Sequence, residues 1–373
     1  TPYGFSQFAK SIPIWIKDKL FLKLKLIEEL NKIEKIKNIK NKIKFSEHHL
    51  SHAASAFYPS GFEESLILTL DGVGEWATTS ISIGNKNNIK KISEIKYPHS
   101  LGLLYSAFTL YCGFKVNEGE YKLMGLAPYG NPKYKDLIYK NLIQVESDGS
   151  FQLNMHYFDY CVGLTMINKN FCQLFGKESR NLDDPNIDIF YMDIAASIQE
   201  VIEEVILKIC KNLKEKYSID NICLAGGVAL NCVVNGKIVD DKIFKNIYIQ
   251  PAAGDAGGSL GAALAFWHIG LNKERNFQFS DGMKGSYLGP EYTNEYIKKV
   301  LDKTNLKYSF FENAELILKV SKLLSDQNVI GWFQGKMEFG PRALGGRSIL
   351  GDARSPEMQR KLNLKVKFRE SFR

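Results

Sequence analysis

Residues 46–57, Ser-Glu-His-His-Leu-Ser-His-Ala-Ala-Ser-Ala-Phe, constrain this chain more than any other stretch. They place three of the six histidines in five positions and run directly into small residues that suit a closely packed helix. His48 and His52 are spaced i, i+4, so on a helix both imidazoles leave one face within reach of a single ion. Further on, a β-branched and apolar run at 66–70 ends in Asp71-Gly72-Val73-Gly74-Glu75. That is the pattern of a strand delivering a carboxylate at its tip, followed by glycines where the backbone must turn or approach a ligand closely. Two imidazoles with one or two carboxylates form a borderline-to-hard donor set, suited to Fe(II), Zn(II) or Mn(II), with Fe(II) preferred. The alternative is that these histidines are ordinary core or surface residues, as His99, His156 and His268 are read to be. An i, i+4 pair needs the context of the fold to decide between the two.

At 373 residues the chain exceeds the ~250–300 at which one core usually splits, so two lobes are expected. A hydrophobic content of 45% and a charged content of 24% are those of a soluble globular enzyme, and 12% aromatic residues exclude a disordered chain. The formal charge of +8 invites a nucleic-acid reading until it is located. Ten lysines between positions 17 and 44 stand against Asp18, Glu28, Glu29 and Glu34, and so supply six of the eight charges. Lysine alternating with Ile, Leu and Asn reads as the solvated face of an amphipathic helix, which disfavours nucleic acid or a membrane surface as partner. The six cysteines (112, 161, 172, 210, 223 and 232) contain no C-x-x-C pair. They read as buried free thiols of a reducing, cytoplasmic compartment rather than a disulfide framework or zinc ribbon. The apolar run at 12–30 is broken by Lys17, Asp18, Lys19, Lys23 and Lys25 and cannot span a bilayer.

In chain order, residues 1–44 read as helical and 42–45 as a short strand. A hairpin is expected from 66–70 and 78–83, a third strand at 90–95 and a helix at 100–114. Residues 117–130 read as a loop dense in glycine and charge, and 134–185 as irregular. A long amphipathic helix is expected at 188–217, with Ile194, Ile198, Val201, Ile202, Val205, Ile206, Ile209 and Leu213 on one side. A buried strand at 222–225 opens into Gly226-Gly227-Val228-Ala229-Leu230-Asn231, which sets backbone N–H groups and a helix N-terminus where a phosphate could lie. The arrangement recurs as a strand at 246–250, a turn at 251–258 carrying Asp255, and a helix at 259–267. Helices at 293–304 and 313–325 and a strand at 329–334 precede the loop 335–348, whose Arg342 and Arg347 lie among glycines. Two arginines in such a loop form an anion-recognition site, with a linker stiffened by ion pairs as the alternative.

These blocks, in this order, resemble the carbamoyltransferases of the nodulation-factor, cephalosporin and tobramycin pathways. The resemblance rests on His48–Ala54, on Asp71–Glu75 and on Gly119–Gly130. It continues through Gly226–Cys232, Gly254–Gly258 and Gly340–Leu350, and so extends over residues 46–373. It implies an α/β fold of the actin/Hsp70/sugar-kinase (ASKHA) type, two lobes of mixed sheet flanked by helices around a nucleotide cleft. Residues 1–63 would be a partial first lobe, 64–350 the second lobe with insertions, and 351–373 a connector toward a YrdC-like, adenylate-forming domain. The fold's opening hairpin and that further domain are not found in these 373 residues, so a fragment is expected. The resemblance implies His48, His52, Asp71 and Asp255 as metal ligands. It implies Gly72, Gly74, Gly226, Gly227, Asn231, Gly254, Gly257 and Gly258 as the cradle of the adenylate.

The expected reaction moves a carbamoyl group from carbamoyl-adenylate, made from ATP and carbamoyl phosphate, to a hydroxyl of a carbohydrate or small-molecule acceptor. Lys122, Arg342 or Arg347 would stabilise the departing adenylate. His49 is the candidate general base, with an orienting role for His48 as the alternative, and Glu120 is a further option. The rival readings are a tRNA threonylcarbamoyl transferase and a non-catalytic nucleotide-binding module. Hydrogenase-maturation carbamoyltransferases usually carry C-x-x-C pairs, absent here. Oligomerisation is compatible with any of these.

Overall fold

A mixed sheet of five strands forms the spine of the first part of the chain. The computed structural model describes residues 4–182, 184, 186–275, 281–304 and 306–373. It divides into two units, Thr1–Gln278 and Phe279–Arg373. In the first unit, β1 (Glu64–Leu70), β2 (Ala77–Asn85) and β3 (Asn88–Lys96) make an antiparallel meander. Strands β4 (Ile143–Val145) and β5 (Phe151–Leu153) form a separate hairpin. Strands β6 (Asn221–Ala225) and β7 (Asn246–Ile249) join β1 in parallel, giving the order β3-β2-β1-β6-β7.

β1 is central because it is apolar on both faces. Leu66, Ile67 and Leu68 are fully buried, and Leu66 pairs with Ile83 on one side and Ile222 on the other. A parallel neighbour requires a long crossover, and the chain between β3 and β6 carries five of the eleven α-helices described in the first unit, the 29-residue helix Ile189–Tyr217 among them.

The helices of this unit are α1 (Phe5–Ile14), α2 (Leu22–Ile33), α3 (Ile39–Lys42), α4 (His48–Phe57), α5 (Leu101–Tyr111) and α6 (Glu120–Leu126). They continue with α7 (Lys135–Asn141), α8 (Lys169–Phe175), α9 (Ile189–Tyr217), α10 (Cys232–Asp240) and α11 (Asp255–Ala265). The side chain of Asp188 accepts the Phe190 N–H at 2.9 Å and starts α9, whose expected apolar stripe is buried. No helix among the described residues is long and apolar enough to cross a membrane. The second unit contains α12 (Asn294–Thr304), α13 (Asn313–Ser325), the antiparallel pair β8 (Ile330–Phe333) and β9 (Arg347–Leu350), and α14 (Met358–Lys361).

Four expectations are corrected. Residues 43–45 belong to no strand: their alternation meets no neighbouring ladder, and Phe45 is exposed. The segment 117–130 is not a loop, because Leu123 and Leu126, spaced i, i+3, are both fully buried and draw it into α6. The segment 134–185 (183 and 185 lie outside the described residues) contains α7, the β4–β5 hairpin and α8. Its organiser is an aromatic cluster in which the Phe171 ring lies 5.1 Å from Phe108 and 5.2 Å from Tyr111. Finally, α11 begins at Asp255 rather than at 259, so Asp255, Gly257 and Gly258 are helical. α11 crosses α4 so closely that a Cβ at Gly261 would overlap the Ser51 carbonyl oxygen, which accounts for the small-residue content of both helices.

Candidate metal centre

The histidine helix α4 is buried along nearly its whole length, from His49 to Phe57 with only Leu50 partly exposed. His52 is 1% exposed, while His48, one turn earlier, keeps 30% of its side chain open. β1 brings Asp71 to this pair from below, and the first residue of α11 brings Asp255 from the other side. His48 Nε2 lies 2.8 Å from Asp71 Oδ2 and 3.6 Å from Asp255 Oδ1. His52 Nε2 lies 3.3 Å from the first and 3.5 Å from the second. The two Nε2 atoms are 3.0 Å apart.

One donor atom from each of the four residues falls within 4.8 Å of all the others. Ligands held about 2.0–2.2 Å from a tetrahedral ion lie roughly 3.3–3.6 Å from one another. The donor types suit a small divalent cation, and three of the distances (3.3, 3.5 and 3.6 Å) fall in that range, while the His48–Asp71 and His48–His52 contacts are shorter at 2.8 and 3.0 Å. His52 Nδ1 is buried with no hydrogen-bond partner, so the protein commits that ring only through its other nitrogen, the one facing the cluster.

The electrostatics follow from this crowding. The hydrogen bond to Asp71 raises the His48 pKa above its ordinary value against the effect of burial. For Asp71 burial pushes upward, but hydrogen bonds from His48 and His52 prevail and hold the carboxyl well below the usual carboxylate range.

His49 points away from the cluster. It is 2% exposed, its Nδ1 lies 2.8 Å from Ser80 Oγ on β2, and burial lowers its pKa to about 4. Asp71 Oδ1 accepts the Gly227 N–H at 3.2 Å, which ties the carboxylate to the glycines beyond β6. Gly226 adopts a left-handed φ of 90°, and a Cβ there would overlap the Leu70 carbonyl. At Gly74 a Cβ would stand 2.9 Å from the His49 ring and 3.0 Å from the His48 ring. Gly257 packs against the Ala252 carbonyl, whereas Gly72, Gly254 and Gly258 have room for a side chain.

Other expected residues are engaged elsewhere. Asn231 accepts the Val234 N–H at the start of α10 and exchanges two hydrogen bonds with Gln199 on α9. Glu120 accepts from Ser106 Oγ at 2.7 Å and from the Asn117 N–H at 3.0 Å. Lys122 Nζ stands 5.9 Å from the centre of the Phe114 ring. Arg342 and Arg347 belong to the second unit. There the Arg347 guanidinium lies 3.4 Å over the Phe333 ring and donates to the carbonyls of Gln334, Gly335, Gly346 and Pro290.

Three residues escaped the sequence reading. Glu75, quoted in the 71–75 motif without a role, accepts the His48 N–H with both oxygens. Arg275 donates to the carbonyls of Phe57, Tyr58, Phe62 and Lys86 and so fastens the far end of α4, without any local sequence signal. Glu338 accepts the N–H groups of Leu344, Gly346 and Arg347.

Together these features define an α/β protein whose strand tips and flanking helices assemble a candidate divalent-metal centre beside a glycine-lined turn. The chain belongs to the carbamoyltransferase family: the Carbamoyltransferase N-terminus family matches residues 1–264 and the Carbamoyltransferase C-terminus family residues 321–373. An uncharacterized protein of Synechocystis, sll1178, is 54% identical over 376 aligned residues, covering 100% of this chain and 61% of that protein. Nodulation protein NolNO of Sinorhizobium fredii is 36% identical over 335 residues, covering 89% and 47%. The chain thus spans about half to three-fifths of the length of these relatives. The crystal structure of full-length HypF aligns with a TM-score of 0.35 at 15% identity, over 61% of this chain and 44% of that one, a likeness too slight to fix the wider fold.

Proposed function

We propose that this chain carries the transfer site of an O-carbamoyltransferase, moving a carbamoyl group from carbamoyl-adenylate to a hydroxyl of a sugar or natural-product acceptor. The observation that carries the reading is the convergence of His48, His52, Asp71 and Asp255 in a chain of this family. These four residues would hold a divalent cation, Fe(II) by preference, which when bound supplies Lewis-acid polarisation and charge neutralisation. The ASKHA-type architecture and the ATP-derived donor belong to the same proposal.

In the transfer, the acceptor oxygen forms a bond to the carbamoyl carbon and the bond from that carbon to the phosphate oxygen breaks. Adenylate leaves, and the hydroxyl proton passes to the released phosphate or to water. Lys122, in the same unit as the metal cluster, would offset the charge of the leaving group. A pKa near 4 makes His49 a weak proton acceptor at neutral pH. Its bond to Ser80 instead supports the alternative role, anchoring the helix that presents His48 and His52.

The test is transfer of labelled carbamoyl from preformed carbamoyl-adenylate by the metal-loaded chain. Label in a sugar O-carbamate supports the proposal. Label on tRNA favours the threonylcarbamoyl-type rival, and no transfer to either, with the metal bound, refutes the reading.

A further inference from the structure

The N-cap of α4 is Glu47, yet the Glu47 side chain makes no capping bond. It turns instead to Lys91 Nζ at 2.9 Å. The helix N–H at His48 is taken by a residue from elsewhere in the chain: Glu75 accepts it at 3.0 Å through one oxygen and 3.1 Å through the other. A carboxylate at this position also complements the positive end of the helix dipole.

Glu75 lies four residues beyond Asp71, in a connection pinned by backbone hydrogen bonds on either side of it. The Asp71 N–H donates to Thr78 O at 2.9 Å, the Gly74 N–H to Ala77 O at 2.8 Å, and the Tyr97 N–H to Trp76 O at 2.8 Å. Gly74 rests against the rings of His48 and His49, with no space for a Cβ. A closed circuit results. It runs from the Glu75 carboxylate to the His48 N–H, through the His48 side chain to Asp71, and back along 72–74 to Glu75. Two of the four converging residues are therefore joined twice, once at their donor atoms and once through Glu75.

We propose that Glu75 is a positioning residue for the metal centre, setting the distance and angle between the His48 imidazole and the Asp71 carboxylate. This inference rests on the metal reading above. Its action is through His48 and not by contact with substrate. Loss of an outer partner of a metal ligand typically costs about 10–100-fold in metal affinity, and that is the effect expected here.

The test uses Co(II), whose visible spectrum reports ligand geometry, with affinity measured by competition against a chromophoric chelator. Glu75→Ala is expected to weaken Co(II) binding about 10-fold or more and to alter the spectrum. Glu75→Gln, which keeps one acceptor oxygen, is expected to recover most of both, and it carries the test if the alanine variant does not fold. Lys91→Ala, which releases Glu47 and Glu94 but leaves the bond from the His48 N–H to Glu75 untouched, is expected to behave as the parent. Thermal unfolding in chelator runs in parallel. A lower melting temperature for Glu75→Ala with unchanged Co(II) affinity and spectrum would reduce Glu75 to a helix cap and overturn the proposal. A parent chain that takes up no Co(II) overturns the metal reading itself, and this inference with it.

Discussion

Asp71 and Gly227 meet where the two central parallel strands end: the carboxylate at the tip of β1 accepts the Gly227 N–H beyond β6 at 3.2 Å, while its other oxygen faces His48 and His52. One side chain therefore connects the imidazole pair to the glycine turn. Asp71→Asn keeps the volume but removes the charge that holds two imidazoles together. We expect it to weaken divalent-metal binding by more than the ~10–100-fold that loss of an outer partner costs. Metal stoichiometry after gel filtration, with Co(II) or Zn(II), is the measurement. A variant that keeps one equivalent at parental affinity would remove Asp71 from the ligand set.

The adjacent histidines His48 and His49 should impose opposite pH dependences on the metal-free protein. The folded-state pKa of His48 is raised, so its contribution is fully present below the unfolded value of ~6.5 and is lost as pH rises through the folded value. That of His49 is lowered to about 4, so its contribution is present above ~6.5 and is lost as pH falls toward 4. Asp71, held low, adds stability above its unfolded value of ~3.9 that disappears in stronger acid. Urea midpoints in chelator between pH 4 and 9 should therefore pass through a maximum. His48→Ala should flatten the alkaline side and His49→Phe the side between about pH 4 and 6.5. A parental alkaline slope in His48→Ala would contradict the assignment.

The legible parts of this fold were those where local pattern and tertiary demand agree. The stripe from Ile194 to Leu213 is long and periodic, and it is α9. The run ending at Asp71 is buried on every residue from Ser65 to Leu70, Thr69 included, because β1 is covered on both faces. The i, i+4 histidines needed only a helix to share a face, and α4 is one. What was not legible depended on distant partners. Nothing around Arg275 announces that it fastens α4 more than 200 positions back in the chain. Asn231 sits in a motif that reads as ligand-binding, yet Gln199 on another helix takes up its side-chain amide. Glycine and charge at 117–130 outweighed two leucines whose burial decided the helix.

Gly261 offers a case in which two ordinary effects compete. Glycine to alanine inside a helix usually stabilises by about 0.4–1 kcal/mol, through the unfolded chain. Here the new methyl would overlap the Ser51 carbonyl of α4, and forcing extra volume into a close contact costs about 1–3 kcal/mol. The steric effect is larger, so Gly261→Ala should lower the urea midpoint. Because α11 also carries Asp255, separating the two helices should weaken metal binding. Gly258→Ala, on the same helix with open space at that position, should be neutral or slightly stabilising. Equal midpoints for the two variants would show that the helices do not cross as tightly as described.

In the second unit, Glu338 holds the loop that carries Arg342 and Arg347. One of its oxygens accepts the N–H groups of Leu344 at 2.7 Å, Gly346 at 2.7 Å and Arg347 at 3.2 Å, and these bonds pull its carboxyl down to about 2. Those N–H groups already face an anion, supplied by the chain itself, so this part of the loop has its anion site filled. Glu338→Ala should leave all three amides without an acceptor. Hydrogen exchange at Leu344, Gly346 and Arg347 is then expected to accelerate, while amides of α13 keep parental rates. Glu338→Gln, retaining one neutral acceptor oxygen, should fall between. The acid dependence has a definite sign: a lowered folded pKa gives protection that is present above the unfolded value of ~4.3 and is lost as pH falls through about 2. Exchange at these amides that is indifferent to both substitutions would mean that the loop is held by the Arg347 guanidinium and its carbonyl partners instead.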